Sequence, residues 1–246
     1  MQINRSTLLV SAVAVLLLAA VGAATAVTPT AQSDQPAKQI DVAASAEVSA
    51  QPDQALVRLG VVATAEDVQT ARDRVAENVS AVRSALDELN VSTEQIETAY
   101  YDIGEVHERP ETEGASEFRA VHTLEVTLND TDRVGEIIDG AVDSGANRVD
   151  GVSFTLSAEK RHELRQDALE KAMDRARTDG DTLANSSDLR VVSASSISAS
   201  DASVTPYRVE QTMLEAAGDA AASTTVESGP VDVSASVQVV YNATSA

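Results

Sequence analysis

Three histidines stand in the chain, at 107, 122 and 162, and there is no cysteine. His107 sits among Glu105, Glu108, Glu111 and Glu113, a carboxylate density that suits a hard cation such as Ca²⁺. No ligand spacing repeats there, so the stretch reads as a solvated acidic loop. His122 falls on the apolar side of an alternating segment, where a hydrogen-bonded core histidine is expected. His162 lies in the first turns of a helix and needs no function. The lack of cysteine excludes disulfides, thiolate nucleophiles, Cys-ligated zinc and lipid anchoring through a Cys. No serine sits in a G-x-S-x-G elbow, and no Walker or dinucleotide glycine pattern occurs. Gly145, Arg148 and Gly151 combine a turn with a guanidinium, which suggests an anion. The simpler account is a helix-to-strand turn with Arg148 paired to Asp150 or Asp143. Tyr100 and Tyr101 are adjacent and point to opposite faces of a strand, so one is expected at the surface as a contact residue. No catalytic, cofactor-binding or metal residue is assigned. No cofactor is expected, and the chain is read as not an enzyme.

Composition narrows the classes further. The 246 residues suffice for one large domain or two small lobes. Apolar residues make up 43% but aromatics only 2%, so the core must be built from Val, Ala, Leu and Ile. Acids outnumber bases by 39 to 18, for a net charge of −21. Three of the bases are lysines, at 38, 160 and 171. The acids are spread along the chain, as on a solvating surface. Nucleic-acid binding needs a basic footprint and is excluded. High acidity with few lysines points to a halophile, where concentrated salt screens the self-repulsion.

The first 26 residues have a signal-peptide layout: Arg5, the apolar run Leu8–Val21, then Ala24-Thr25-Ala26 as a small-x-small cleavage site. An uncleaved membrane tether through residues 8–27 is the alternative, since that length just spans a bilayer. Either reading exports the rest, to the cell envelope or beyond it. Residues 27–39 are a Pro/Thr/Gln-rich flexible tether. Six N-x-S/T sequons occur, of which few are expected to be used.

Residues 40–242 form the folded part. Ile40–Ala50 alternates as a half-buried strand. Gln51-Pro52-Asp53 reads as the turn of an antiparallel hairpin to a second strand, Gln54–Ala63, which is apolar on both faces and so expected to be central and covered twice. Thr64 is placed to cap a helix with Val68, Ala71, Val75, Val79, Val82, Leu86 and Leu89 inward. Strands follow at 95–105 and 117–128, around an exposed loop at 107–114. Asp130 or Thr131 caps a second helix, with Val134, Ile137, Ile138, Ala141 and Val142 inward and Gly145 at its C-terminal cap. A strand at 149–156 leads to the longest helix, 159–186, with a stripe of Leu164, Ala168, Ala172, Ala176, Gly180 and Leu183. A Ser/Ala-rich strand spans 191–200. Residues 201–229 are a low-complexity insertion, either mobile or with a short helix at 210–217. Val231–Tyr241 closes the fold. The order is ββαββαβαβ, insertion, β. That is an α+β fold of antiparallel or mixed sheets packed against three main helices.

The segment Phe118–Leu156 resembles the SIMPL-domain family, most specifically at Gly145-Ala146-Asn147-Arg148-Val149 with Gly151 and Phe154. Val48–Val61 resembles that family's opening hairpin, Ala168–Ala184 its long Ala-rich helix, and Gly229–Tyr241 its closing strand. The acidity marks a haloarchaeal-like member. The resemblance implies an exported α+β domain that oligomerises in some bacterial members, with links to oxidative-stress tolerance in bacterial envelopes and to kinase signalling in animals. No reaction is established for the family, so it transfers no catalytic residue. The expected function is assembly as a homo-oligomer or binding of an unknown envelope protein. A small-molecule or metal-dependent enzyme is the alternative, and it requires a concave pocket around Arg148 or His122. A surface adhesion module is a third reading, supported by the sequons and the tether.

Overall fold

The computed structural model describes residues 38–106, 117–200, 202–209 and 224–246. The signal segment, nearly all of the tether, the 107–114 loop and the short helix expected at 210–217 lie outside them. Nine strands and three helices are described: β1 (Lys38–Ala50), β2 (Gln54–Ala65), α1 (Val68–Glu88), β3 (Ile96–Glu105), β4 (Phe118–Leu128), α2 (Val134–Asp143), β5 (Arg148–Thr155), α3 (Ala158–Asn185), β6 (Leu189–Ala199), β7 (Ser203–Thr205), β8 (Tyr207–Val209) and β9 (Val231–Ser245). This is the expected α+β order, with two short strands added inside the insertion. The residues at 38 and 39, given to the tether by composition, are strand.

Two sheets divide the chain, and every pairing is antiparallel. One has the order β3-β4-β2-β5-β8. The other runs β1-β9-β6, with β7 also on β9. The expected β1–β2 hairpin is therefore wrong: the strands belong to different sheets. Gln51-Pro52-Asp53 carries the chain from one sheet to the other. The residue before a proline is held extended, and tight hairpins need a residue with positive φ in the loop. β1 pairs instead with β9, register-true from Lys38 with Ala243 to Ala50 with Val231. The alternation of Val231, Val233, Ala235, Val237, Val239 and Tyr241 is buried as expected. It packs with Val42 and Ala46 beneath α3.

α3 lies on that sheet through Leu164, Ala168, Ala172, Ala176, Gly180 and Ala184. Steps of four keep one narrow face inward. Leu183, expected in the stripe, is exposed, because Ala184 takes its place. On the five-stranded sheet, α1 buries Ala71, Val75, Val79, Val82 and Leu86, and α2 buries Val134, Ile137, Ile138 and Ala141. Val68 and Val142 are exposed, being at the outer ends of their helices. Asp67, not Thr64, caps α1 by accepting the Thr70 amide at 2.9 Å, since β2 continues to Ala65. Asp130 accepts the Asp132 amide at a 3-10 turn that precedes α2. α2 ends at Gly145, φ +117. There the Gly145 amide donates to Val142 O and the Ala146 amide to Ala141 O, the double closure that a glycine with positive φ permits. Asn90, φ 60, closes α1 in the same way.

The insertion is stitched to both sheets. β7 pairs with β9 and β8 with β5. The returning chain is held where the Thr224 amide donates to Asp139 Oδ2 at 3.0 Å, and Val226 packs on the larger core. The part of the insertion at 203–209 is thus not a mobile excursion: β-branched residues and a tyrosine there find partner strands.

Asp53 ties the inter-sheet linker to α3. It accepts the Ser157 amide at 2.7 Å and the Ser157 hydroxyl at 2.6 Å, while Ser157 Oγ accepts the Lys160 amide as the α3 cap. Burial works against the Asp53 charge, but the Ser157 donors outweigh it and hold the carboxyl below the usual aspartate range. A depressed carboxyl contributes stability above its unfolded value of about 3.9, and that contribution is lost as pH falls through the folded value. Asp53→Ala is expected to cost about 1 kcal/mol near neutrality. The difference from wild type should shrink below about pH 4. Urea titrations at pH 7 and pH 3 check this, and an equal gap at both would refute it.

Candidate functional site

The helices cover one face of the five-stranded sheet. Among the described residues, no helix lies on the other. β2 is central, as expected, but among the described residues only one of its faces lies under helices. Val57, Leu59 and Val61 are buried beneath the helices, while Arg58 between them is exposed. The bare face takes Arg58 from β2, Arg119, Thr123 and Glu125 from β4, Tyr100 and Asp102 from β3, Arg148 and Asp150 from β5, and Arg208 from β8.

Two bulges shape this face. On β3 the register passes from Thr98–Leu124 to Tyr100–Thr123, leaving Ala99 unpaired. On β5 it passes from Gly151–Arg58 to Val149–Leu59, leaving Asp150 unpaired. A bulge re-aims side chains and recurs beside functional sites. Here one brings Asp150 beside Arg148, and the other sets Tyr100 opposite Thr123. Between the bulges lies Gly60, in the middle of β2. A Cβ there would stand 3.0 Å from Arg148 Cβ and 3.1 Å from Asp150 Oδ2, so the missing side chain lowers the floor. The result is a depression of about 510 Å³ lined by Arg58, Arg119, Arg148, Tyr100, Asp102, Thr123 and Asp150. A second hollow, of about 490 Å³, shares Arg58 and Asp150 and extends to Arg208.

The electrostatics are ordered. Arg148 Nη2 meets Asp150 Oδ1 at 2.6 Å, and Arg58 Nε meets Glu125 Oε2 at 2.7 Å. Thr123, only 5% exposed, donates its hydroxyl to Asp150 Oδ2 at 3.1 Å. Each ion pair engages one nitrogen of a guanidinium that carries five N–H donors. Four arginines and the carboxylates of Asp102, Glu125 and Asp150 share this face, so opposite charges interleave there in a chain with net charge −21.

The other candidates fall elsewhere. Arg148 pairs with Asp150, one of the two partners expected. His122 is on the helix side near the sheet's edge, half-buried, with Nε2 3.0 Å from Thr98 Oγ1. Its ring meets Tyr101 edge-on at 5.4 Å. Burial, then the nearby Arg83 charge, pushes its pKa down, so it is neutral at pH 7. His162 Nε2 lies 3.1 Å from Gln166 Nε2 on the exposed side of α3. His107 and its glutamates at 108, 111 and 113 lie outside the described residues. Tyr100 and Tyr101 do point to opposite faces, but both are exposed, at 54% and 50%. The exposure expected of one ring thus holds for both. Among the described residues, no three metal-ligating side chains cluster, and no helix is long and apolar enough to cross a membrane.

Arg58, Arg119 and Arg208 carried no signal of their own in the sequence. Glycines inside strand patterns, at 60 and 151, were the available sign, since such a glycine marks a bulge or a close approach.

The SIMPL family, described as a protein of unknown function (DUF541), matches residues 40–241. The chain is 25% identical over 198 residues to the uncharacterized protein YggE of Escherichia coli (strain K12), covering 80% of each. To the uncharacterized protein YggE of Edwardsiella ictaluri (strain 93-146) it is 27% identical over 136 residues, covering 54% of this chain and 57% of that protein.

Proposed function

The chain belongs to the SIMPL family, and from that premise we propose that it is a non-enzymatic envelope protein that works through self-assembly or partner binding, in the service of stress protection. The observation that carries the reading is the bare, arginine-bearing face of the five-stranded sheet. A sheet face left open and lined with exposed Arg and Tyr has the composition that interfaces favour. Export is supported by the layout of the first 26 residues, and a halophilic, haloarchaeal-like setting by the charge of −21. A second reading, a small-molecule enzyme, draws on the depression around Arg148, which meets that reading's requirement for a concave site with convergent polar groups.

Light scattering at molar KCl, joined to a pull-down from native envelope at the same salt, tests the proposal. The expected result is a mass that is a multiple of the protomer, or one stoichiometric partner. A monomer at every concentration with no partner overturns it. Dialysis of the same sample to dilute buffer should replace its folded circular dichroism spectrum with that of an unfolded chain, and an unchanged spectrum removes the halophilic part.

A further inference from the structure

We propose that the depression between Arg119 and Arg148 binds a small carboxylate-bearing anion. The inference rests on the reading of the bare face as a binding surface, and it names what that surface takes. Arg119 has no ionic partner among the described residues. Arg148 and Arg58 each spend a single nitrogen on a protein carboxylate, which leaves further donors on planar forks. Such forks match a carboxylate with two parallel hydrogen bonds. Two bulges and the floor at Gly60 make the surface concave where these groups converge, and a volume of about 510 Å³ falls in the range of small-ligand sites. The site also carries its own negative charge, in Asp102 and Asp150. Asp150 is held by Arg148 and by the Thr123 hydroxyl. It orients the Arg148 fork and limits the positive excess, so that the site suits an anion of low charge.

Lactate, a monoanion with one carboxylate, is the probe, titrated by calorimetry into the full-length protein at fixed ionic strength, with inorganic phosphate in parallel. One saturable lactate site per protomer is expected. Arg119→Gln and Arg148→Gln should each weaken it by about tenfold or more, the scale of one charge-assisted bidentate contact. Arg175→Gln removes the same charge from α3, where Arg175 donates to the Ser45 carbonyl, and should leave the affinity within about twofold, since an exposed charge this remote is screened. Circular dichroism confirms that each variant is folded. No saturable lactate binding, or equal weakening by Arg175→Gln, overturns the proposal. Tighter phosphate binding that depends on Arg119 and Arg148 overturns the carboxylate assignment. The oligomeric mass of Arg119→Gln, measured separately, reports on assembly whatever the titration shows.

Discussion

Phe154→Ala is expected to destabilise the protein by about 3–5 kcal/mol. Phe154 is the largest fully buried side chain and is 0% exposed. It projects from β5 into the core shared with α1 and α2. Its room is made by Ala55, which faces it across β2 and faces Leu128 on the other side. Tyr207 lies beside it from β8, ring centroids 6.4 Å apart. The chain has one other Phe and no Trp. Neighbouring Val and Ala side chains are too short and stiff to collapse into the space. A loss of this size is a large part of the 5–15 kcal/mol typical of a folded domain. Guanidinium titration at constant high salt should show a lowered midpoint with an unchanged slope. Phe154→Leu should lose less than about half as much. A cost below about 1 kcal/mol for the alanine variant would mean that this core is not packed as described.

The second large effect is expected at Gly180, on the buried stripe of α3. A Cβ there would come within 2.9 Å of Tyr241 Cε2 and 3.0 Å of Cδ2. Tyr241 is itself buried and fixed in β9 between Ile40 and Ala194. Any larger side chain must push the helix off the sheet or the ring out of its place. Gly180→Val is expected to cost about 2–3 kcal/mol. It does so although valine is a better helix former than glycine by roughly 0.3 kcal/mol. Gly180→Val combined with Tyr241→Ala should recover part of the overpacking loss, because the two residues share one contact. Thermal unfolding of the two single variants and the double variant measures that coupling. Strictly additive losses would show that the helix does not pack through this glycine.

Local pattern made much of the scaffold legible. The alternation of β9, the small-residue stripe of α3 and the glycine cap of α2 were all readable, because each depends on neighbours within one or two turns or pleats. The same reasoning misplaced Val68, Val142 and Leu183, since periodicity gives a face but not where the neighbouring sheet ends. It also joined β1 to β2, because proximity in sequence is the usual guide to pairing, whereas the pairing strand of β1 lies near the far end of the chain.

The candidate site was legible only in fragments. Arg148 with Asp150 was foreseen as a pair and set aside as a turn. What makes it part of a site is its company. Arg119 comes from β4 and Arg58 from β2, with Tyr100 from β3 and a glycine floor between them. Those neighbours are far apart in sequence, and the bulges at Ala99 and Asp150 break the two-residue period that a reader of the sequence would extend.

By itself, the sequence determined the class of fold, the nature of the core, the family and the acidic surface, because hydrophobic period, capping chemistry and charge are local or additive properties. Only the tertiary structure decided which strands pair, which face of the five-stranded sheet the described helices cover, and that arginines from four strands meet on the other. Those are consequences of long-range register, and a one-residue change of register or a single bulge moves a side chain from one face of a sheet to the other.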